Sequence, residues 1–146
     1  MDDTAIAAAA GVAMYERDYA AQRLGISVDE VRPGYARLSM TVADDMVNGH
    51  AVGHGGLTFA LADTAMAYAS NSYNRVALAQ YATINFLAPT RLGERLTAEA
   101  VEQSRAGRAG IYDVRVTNPD GAQVALFRGQ TIRMNDKVDE ASPVIE

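Results

Sequence analysis

The chain has 146 residues, 49% of them apolar and 21% charged, and it contains no cysteine. This balance bounds it to a single globular domain, residues 1–146, and excludes a disordered chain. The missing thiols exclude a disulfide scaffold, a thiolate metal centre and a thiol nucleophile. Thirteen basic against eighteen acidic residues give a net charge of −5, and the twelve arginines and single lysine, Lys137, are scattered. No stripe of charge follows a nucleic-acid backbone.

In chain order, the first feature is the alanine-rich segment 4–23, read as an N-terminal helix within residues 1–24 and closed by Gly25 near its C-terminal cap. Its apolar run Ala5–Met14 is ten residues long and follows Asp2 and Asp3. A membrane span needs ~20 apolar residues and a secretory leader begins with positive charge, so a soluble, cytoplasmic protein is expected. Residues 34–42 alternate, with Ala36, Leu38, Met40 and Val42 on one face and Arg37, Ser39 and Thr41 on the other, which is a half-buried strand. A polar, glycine-bearing segment follows from Asp44 to Gly53.

The stretch Leu57–Ala69 is apolar on every side of a helical wheel and predicts a helix buried all round. From residue 76 the period becomes two, with strands expected over 76–88, 94–104, 110–117 and 122–134. Breaks fall at Pro89–Gly93, at Gly107–Gly110 and at the hairpin sequence Asn118-Pro119-Asp120-Gly121. The short links favour an antiparallel meander, and the polar tail 135–146 is expected to fray. One buried helix and one antiparallel sheet pack best when the sheet curls round the helix. That is an α+β arrangement of the hotdog type.

Asp63 is the anomaly of the buried helix. Its neighbours one turn away are Phe59, Ala60, Met66 and Ala67, an environment that desolvates a carboxylate, raises its pKa and suits it to acid–base work near neutrality. The plainer reading ties it to hydroxyls such as Thr64 or Thr83. His50 and His54 have helical i, i+4 spacing, but Gly49 and Gly53 place His50 in a loop and no third ligand is at hand, so no metal is expected. Gly53, Gly55 and Gly56 surround the helix start, where unpaired first-turn N–H groups and the helix dipole can hold an anion or a developing oxyanion. A tight entry turn would need the same glycines.

The segment Asn48-Gly49-His50-Ala51-Val52-Gly53-His54-Gly55-Gly56-Leu57-Thr58-Phe59-Ala60-Leu61-Ala62-Asp63-Thr64-Ala65 closely resembles the signature of the hotdog-fold acyl-CoA thioesterases. The phenylacetic-acid-degradation (PaaI-type) thioesterases are nearest. The resemblance runs over residues 10–134 and departs at Met66, where an aromatic is common. It implies hydrolysis of an aryl-acetyl-type CoA thioester without a cofactor. By position it makes Asp63 the catalytic carboxylate, as base or nucleophile, and the Gly55 N–H the oxyanion donor. Asn48 would position the water or the carboxylate, and His54 would support the loop and carbonyl end. Gly56, Thr64, Phe59, Met66 and Thr83 would contact substrate, with Tyr68 and Phe86 as further pocket candidates. Arg91, Arg105 and Arg108 are candidates for the CoA phosphates.

Two other readings of these residues remain: a hotdog hydratase or dehydratase, and a non-enzymatic acyl-CoA sensor. A hydratase needs a histidine beside the acid, whereas His54 precedes Asp63. A sensor has no use for a carboxylate at the thioester. Helix geometry adds an expectation about assembly. Gly55 and Asp63 are eight residues apart, ~12 Å along one helix axis, too far to meet on one thioester. A homodimer with antiparallel helices brings one chain's Gly55 to the other's Asp63, and pairing of such dimers gives a homotetramer.

Overall fold

The computed structural model describes residues 1–140; the last six residues of the expected tail lie outside it. The elements are α1 (Asp3–Tyr15), α2 (Tyr19–Arg23), β1 (Ser27–Arg32), β2 (Tyr35–Thr41), α3 (Gly55–Ser70), β3 (Ala77–Phe86), β4 (Arg95–Ala106), β5 (Ala109–Thr117) and β6 (Gln123–Arg133). The six strands form one antiparallel sheet in the order β1-β2-β4-β5-β6-β3. The class is α+β, as the periodicity indicates. Strands β4, β5 and β6 are the expected meander. β3 is not part of it, because it pairs with β6 on the far edge and the chain then crosses to β4 beside β2.

The alternation in β2 faces the core as expected: Ala36, Leu38, Met40 and Val42 are buried. Helix α3 touches all six strands, which a sheet curled round it allows. Leu61, Ala62, Ala65, Met66, Tyr68 and Ala69 fill its covered side. Gly129 exists for this packing. A Cβ there would collide with the Met66 thioether and the Phe127 ring, so a bare backbone lets the helix side chain lie against β6.

Three expectations change. The N-terminal helix breaks after Tyr15 and restarts at Tyr19, where the Asp18 carboxylate caps the new turn by accepting from the Ala21 N–H at 3.1 Å. No proline or glycine marks the break. Tertiary contacts fix it instead: the Tyr68 hydroxyl donates to Asp18 and Arg17 donates to the Val138 carbonyl at 2.7 Å. Gly25, with φ of +70°, ends the second helix as expected. Strand β1 has no counterpart in the sequence reading. Its charged residues and a register shift between Val28 and Glu30 hide the period of two. The tail does not fray over 135–140. Val138 is buried in a 3-10 turn, the Val76 N–H donates to the Asp136 carbonyl, and the Asp139 N–H donates to Asn74.

Helix α3 is also not buried all round. Gly56 is exposed, and Ala60, Asp63, Thr64 and Ala67 are only half-covered. At 100° per residue, Gly56, Ala60, Asp63 and Ala67 form one stripe about 60° wide. The sheet leaves this stripe open, and edge strand β3 beside it is exposed over most of its length. Among the described residues, no helix is long and apolar enough to cross a membrane.

Candidate active site

The loop before α3 is built by its own side chains and glycines. The Asn48 Oδ1 accepts the N–H groups of His50 (2.9 Å) and Val52 (3.2 Å), and the Asn48 N–H donates to the Val52 carbonyl at 2.7 Å. These bonds hold Ala51 at φ of +61° and fold residues 48–52 into a compact turn. The amide NH2 of Asn48 donates to no group among the described residues. Gly53 packs where a Cβ would run into the Thr90 hydroxyl, and its N–H donates to the Thr90 carbonyl at 3.0 Å. Short bridges join Val47 to Gly53 and Val52 to Arg91, so the loop is anchored on both sides.

His54 is the N-cap residue of α3 and is exposed. Its backbone, at φ −62° and ψ 132°, donates to the Met46 carbonyl at 2.8 Å, while its side chain makes no capping bond. The N–H groups of Gly55 and Gly56 find no acceptor among the described residues. This leaves two donors at the positive end of a sixteen-residue helix. Gly55 also lies against the Phe86 ring: a Cβ would sit 2.9 Å from its Cζ atom.

Asp63 lies on the open stripe, two turns further along. Desolvation by the surrounding apolar side chains raises its pKa above the ordinary carboxylate value. None of the described residues donates it a hydrogen bond or pairs with it as a cation. The tie to Thr64 is not made, because the Thr64 hydroxyl donates back to the Ala60 carbonyl at 2.6 Å. Thr83 is a correction. Along β3 the side chains of Ile84 and Phe86 turn to the helix, so Thr83 points to the opposite, outer face of the sheet. There it pairs across the ladder with Arg128, which is ion-paired to Asp113. A strand alternates, and Thr83 has the wrong parity to meet Asp63.

Met66 and Tyr68 are fully buried, Met66 against Gly129 and Tyr68 donating to Asp18 at 3.1 Å. They are core side chains within the chain rather than walls of an open pocket. Phe59 fares differently. It is half-buried and meets Phe127 edge-on, with ring centroids 5.4 Å apart. Phe86, 56% exposed, lies against Gly55. Thus the chain's three phenylalanines all pack along the first half of α3. Phe127 is not among the pocket candidates drawn from the sequence, although its parity in the 122–134 strand pointed to the same face.

The three arginine candidates separate. Arg91 sits beside Val52 at the N-terminal end of α3, with its N–H on Glu94. Arg105 and Arg108 flank the β4–β5 turn and wall a hollow that also includes Ser70, at the C-terminal end of α3.

A carboxylate desolvated on a helix that a sheet encloses, with free N–H groups at that helix's start, defines a class. Residues 50–125 match the Thioesterase superfamily, and the chain belongs to it, with the hotdog fold. Its likeness to particular members is high. It is 44% identical over 126 residues to acyl-coenzyme A thioesterase PaaI of Escherichia coli (strain K12), covering 86% of this chain and 90% of that relative. The structure of the E. coli PaaI protein from the phenylacetic acid degradation operon superposes with a TM-score of 0.91 at 41% identity, over 93% of this chain and 99% of that one. A mutant of the phenylacetic acid degradation protein PaaI from Thermus thermophilus gives a TM-score of 0.77 at 36% identity, over 80% of this chain and all of that one (100%).

Proposed function

We propose that the chain hydrolyses an aryl-acetyl-type CoA thioester, phenylacetyl or hydroxyphenylacetyl, to the free acid and CoA. The observation that carries this reading is Asp63, an unpartnered, desolvated carboxylate on the uncovered stripe of α3. Within the single chain such a group costs stability and gains nothing, which is the signature of a residue kept for chemistry. The high identity to an acyl-coenzyme A thioesterase supplies the substrate class.

In this reading the thioester carbonyl oxygen sits at the start of α3 and takes the Gly55 N–H, with Gly56 beside it. Asp63 either removes a proton from the attacking water or attacks the carbonyl carbon itself, giving a mixed anhydride that water then hydrolyses to the free acid and the regenerated carboxylate. The negative charge that develops on oxygen is met by the helix end, and CoA leaves as a thiolate. A thiol of pKa ~8.5 needs little help from a general acid, so one carboxylate and one oxyanion donor suffice. In this reading the free amide NH2 of Asn48 orients the water or the carboxylate. Phe59 and Phe86 offer ring faces and edges suited to a flat acyl group, with the buried Phe127 backing Phe59.

The active unit is a homodimer. Gly55 and Asp63 are ~12 Å apart along one axis, and both must approach within about 3 Å of one thioester. Two copies of α3 running antiparallel, stripe to stripe, satisfy this and cover Ala60 and Ala67. The exposed edge strand β3 beside the stripe, with Phe86 on its helix-facing side, supports pairing there. Dimers of this kind can pair again into a homotetramer. The test is release of CoA, followed with a thiol reagent, across a panel of aryl-acetyl and aliphatic acyl-CoAs. Turnover highest for the aryl-acetyl members is expected; binding without CoA release would overturn the reading in favour of a sensor.

A further inference from the structure

The loop before α3 has a twin elsewhere in the chain. In residues 48–52 the Asn48 N–H donates to the Val52 carbonyl (2.7 Å) and the Ala51 N–H to the Asn48 carbonyl (3.1 Å). The Asn48 Oδ1 accepts from His50 and Val52 at 2.9 and 3.2 Å. Residues 118–122 repeat all four bonds. There the Asn118 N–H donates to the Ala122 carbonyl (3.0 Å) and the Gly121 N–H to the Asn118 carbonyl (2.9 Å). The Asn118 Oδ1 accepts from Asp120 and Ala122, both at 3.0 Å. The fourth residue of each loop has positive φ, +61° at Ala51 and +82° at Gly121. The two cradles differ in chemistry at their second position, which is Gly49 in one and Pro119 in the other.

In both loops two N–H groups polarise the asparagine side-chain carbonyl and can meet negative charge on its oxygen. The next backbone nitrogen along the chain can close a five-membered ring on that carbonyl carbon, an intramolecular attack. Pro119 has no N–H proton to give up, so Asn118 is inert. Gly49 is exposed, its N–H has no acceptor among the described residues, and nothing lies within 4 Å of where a Cβ would stand. The Asn48 NH2, unbonded, can depart. No other asparagine combines these features. Asn71 is buried with its NH2 on the Ala67 and Ala77 carbonyls, and Asn74, Asn85 and Asn135 precede the bulkier Arg75, Phe86 and Asp136. We infer that Asn48-Gly49 is a self-modification site, at which Asn48 is converted to aspartate or isoaspartate with water as the only co-reactant. The Gly49 nitrogen gives up its proton and bonds to the Asn48 Cγ; the Cγ–NH2 bond breaks, and ammonia leaves with that proton. Water then opens the succinimide at either carbonyl, so asparagine plus water becomes aspartate or isoaspartate plus ammonia. This chemistry is independent of the acyl-CoA reading, whereas its effect on turnover rests on it. In that reading the lost NH2 orients the water or the carboxylate, and the gained carboxylate adds a like charge to the site. Conversion of this one residue switches the site off.

The test is peptide mapping by mass spectrometry of the full-chain protein after incubation at neutral and mildly alkaline pH, for the wild type, Gly49→Pro, Gly49→Ala and Pro119→Gly. The Asn118 loop shows that this cradle accepts proline at its second position, and circular dichroism checks that each variant is folded. The wild type should gain about one dalton on the peptide carrying Asn48, as NH2 is exchanged for OH. The gain should be faster at the higher pH, because the Gly49 nitrogen must lose a proton. Gly49→Pro should abolish the gain, and Gly49→Ala should slow it about tenfold by placing a Cβ beside the attacking nitrogen. Pro119→Gly should create a second site at Asn118. Asn48 left unmodified in the folded wild type, or Asn118 left unmodified in Pro119→Gly, would overturn the assignment. CoA release by the incubated wild type should fall in step with the converted fraction; undiminished turnover after full conversion would overturn the effect on activity. The mass change is read whether or not the protein hydrolyses any thioester, so the two readings fail separately.

Discussion

If each active site takes Gly55 from one chain and Asp63 from its partner, two inactive variants should rescue each other. The perturbations are Asp63→Ala, which removes the carboxylate, and Gly55→Pro, which removes the donor N–H. The structure supports the second choice. His54, at ψ 132°, already has the extended backbone required before proline, and Gly55 is the first helical residue, where proline is tolerated. Its ring meets Phe86, whose Cζ would be 2.9 Å from the new Cβ. Gly55→Ala makes the same contact while keeping the N–H, so the difference between the two variants isolates the donor, worth ~10²–10³ in kcat. In a randomly reassembled mixture of the two inactive proteins, half the dimers are mixed, and each mixed dimer holds one site with both intact groups. About a quarter of wild-type activity should return. The assay is CoA release after subunit exchange, with exchange itself verified by mass-labelled chains. Complete exchange without recovered activity would show that each site is built within one chain.

Three further outcomes follow from the packing. Gly129→Ala forces a methyl into the Met66 and Phe127 side chains and should cost ~1–3 kcal/mol of stability, lowering Tm by several degrees at fixed protein concentration; an unchanged Tm would contradict the close packing of α3 on β6. Asp63 has a raised pKa in the folded chain, so its protonated form is the better tolerated one. Its stability contribution is fully present below the ordinary carboxylate pKa and is lost as pH rises through the raised value. Asp63→Asn should therefore match the wild type in acid and exceed it towards neutrality in thermal scans; the opposite order would refute burial as the cause. Phe86→Ala should lower kcat/KM for phenylacetyl-CoA by roughly 2- to 13-fold, from ~0.5–1.5 kcal/mol of lost ring contact, and lower it less for hexanoyl-CoA; equal losses on both would remove Phe86 from the acyl pocket.

The parts of this molecule that the sequence displays are those whose signal is local. The wheel of Leu57–Ala69 announces α3, the alternation from Ala36 to Val42 announces β2, and Asn118-Pro119-Asp120-Gly121 announces its turn. There the Asn118 Oδ1 accepts from the N–H groups of Asp120 and Ala122. What stays hidden depends on distant partners. Nothing near Glu16 says that the first helix stops, because the cause lies at Tyr68 and Val138. Nothing in 87–94 says that the chain leaves β3 at one side of the sheet and resumes at β4 near the other. Thr83 illustrates the sharpest limit. One residue of parity, set by how β3 registers on β6 after its irregularity at Ala79/Tyr81, decides whether it faces the helix or the outer surface. The open stripe on α3 is hidden for a related reason, since an apolar helix face looks the same in sequence whether its own sheet or a second copy covers it.

The central claim is that Asp63 drives acyl-CoA hydrolysis. Its most direct test is steady-state turnover of phenylacetyl-CoA by the wild type and by Asp63→Asn, with the variant's fold confirmed by thermal unfolding. The wild type should release CoA catalytically, and Asp63→Asn should lose on the order of 10²–10⁴ in kcat, the contribution of a positioned general base, or more if Asp63 is the nucleophile. A folded Asp63→Asn protein with near-normal kcat would contradict the account at its centre.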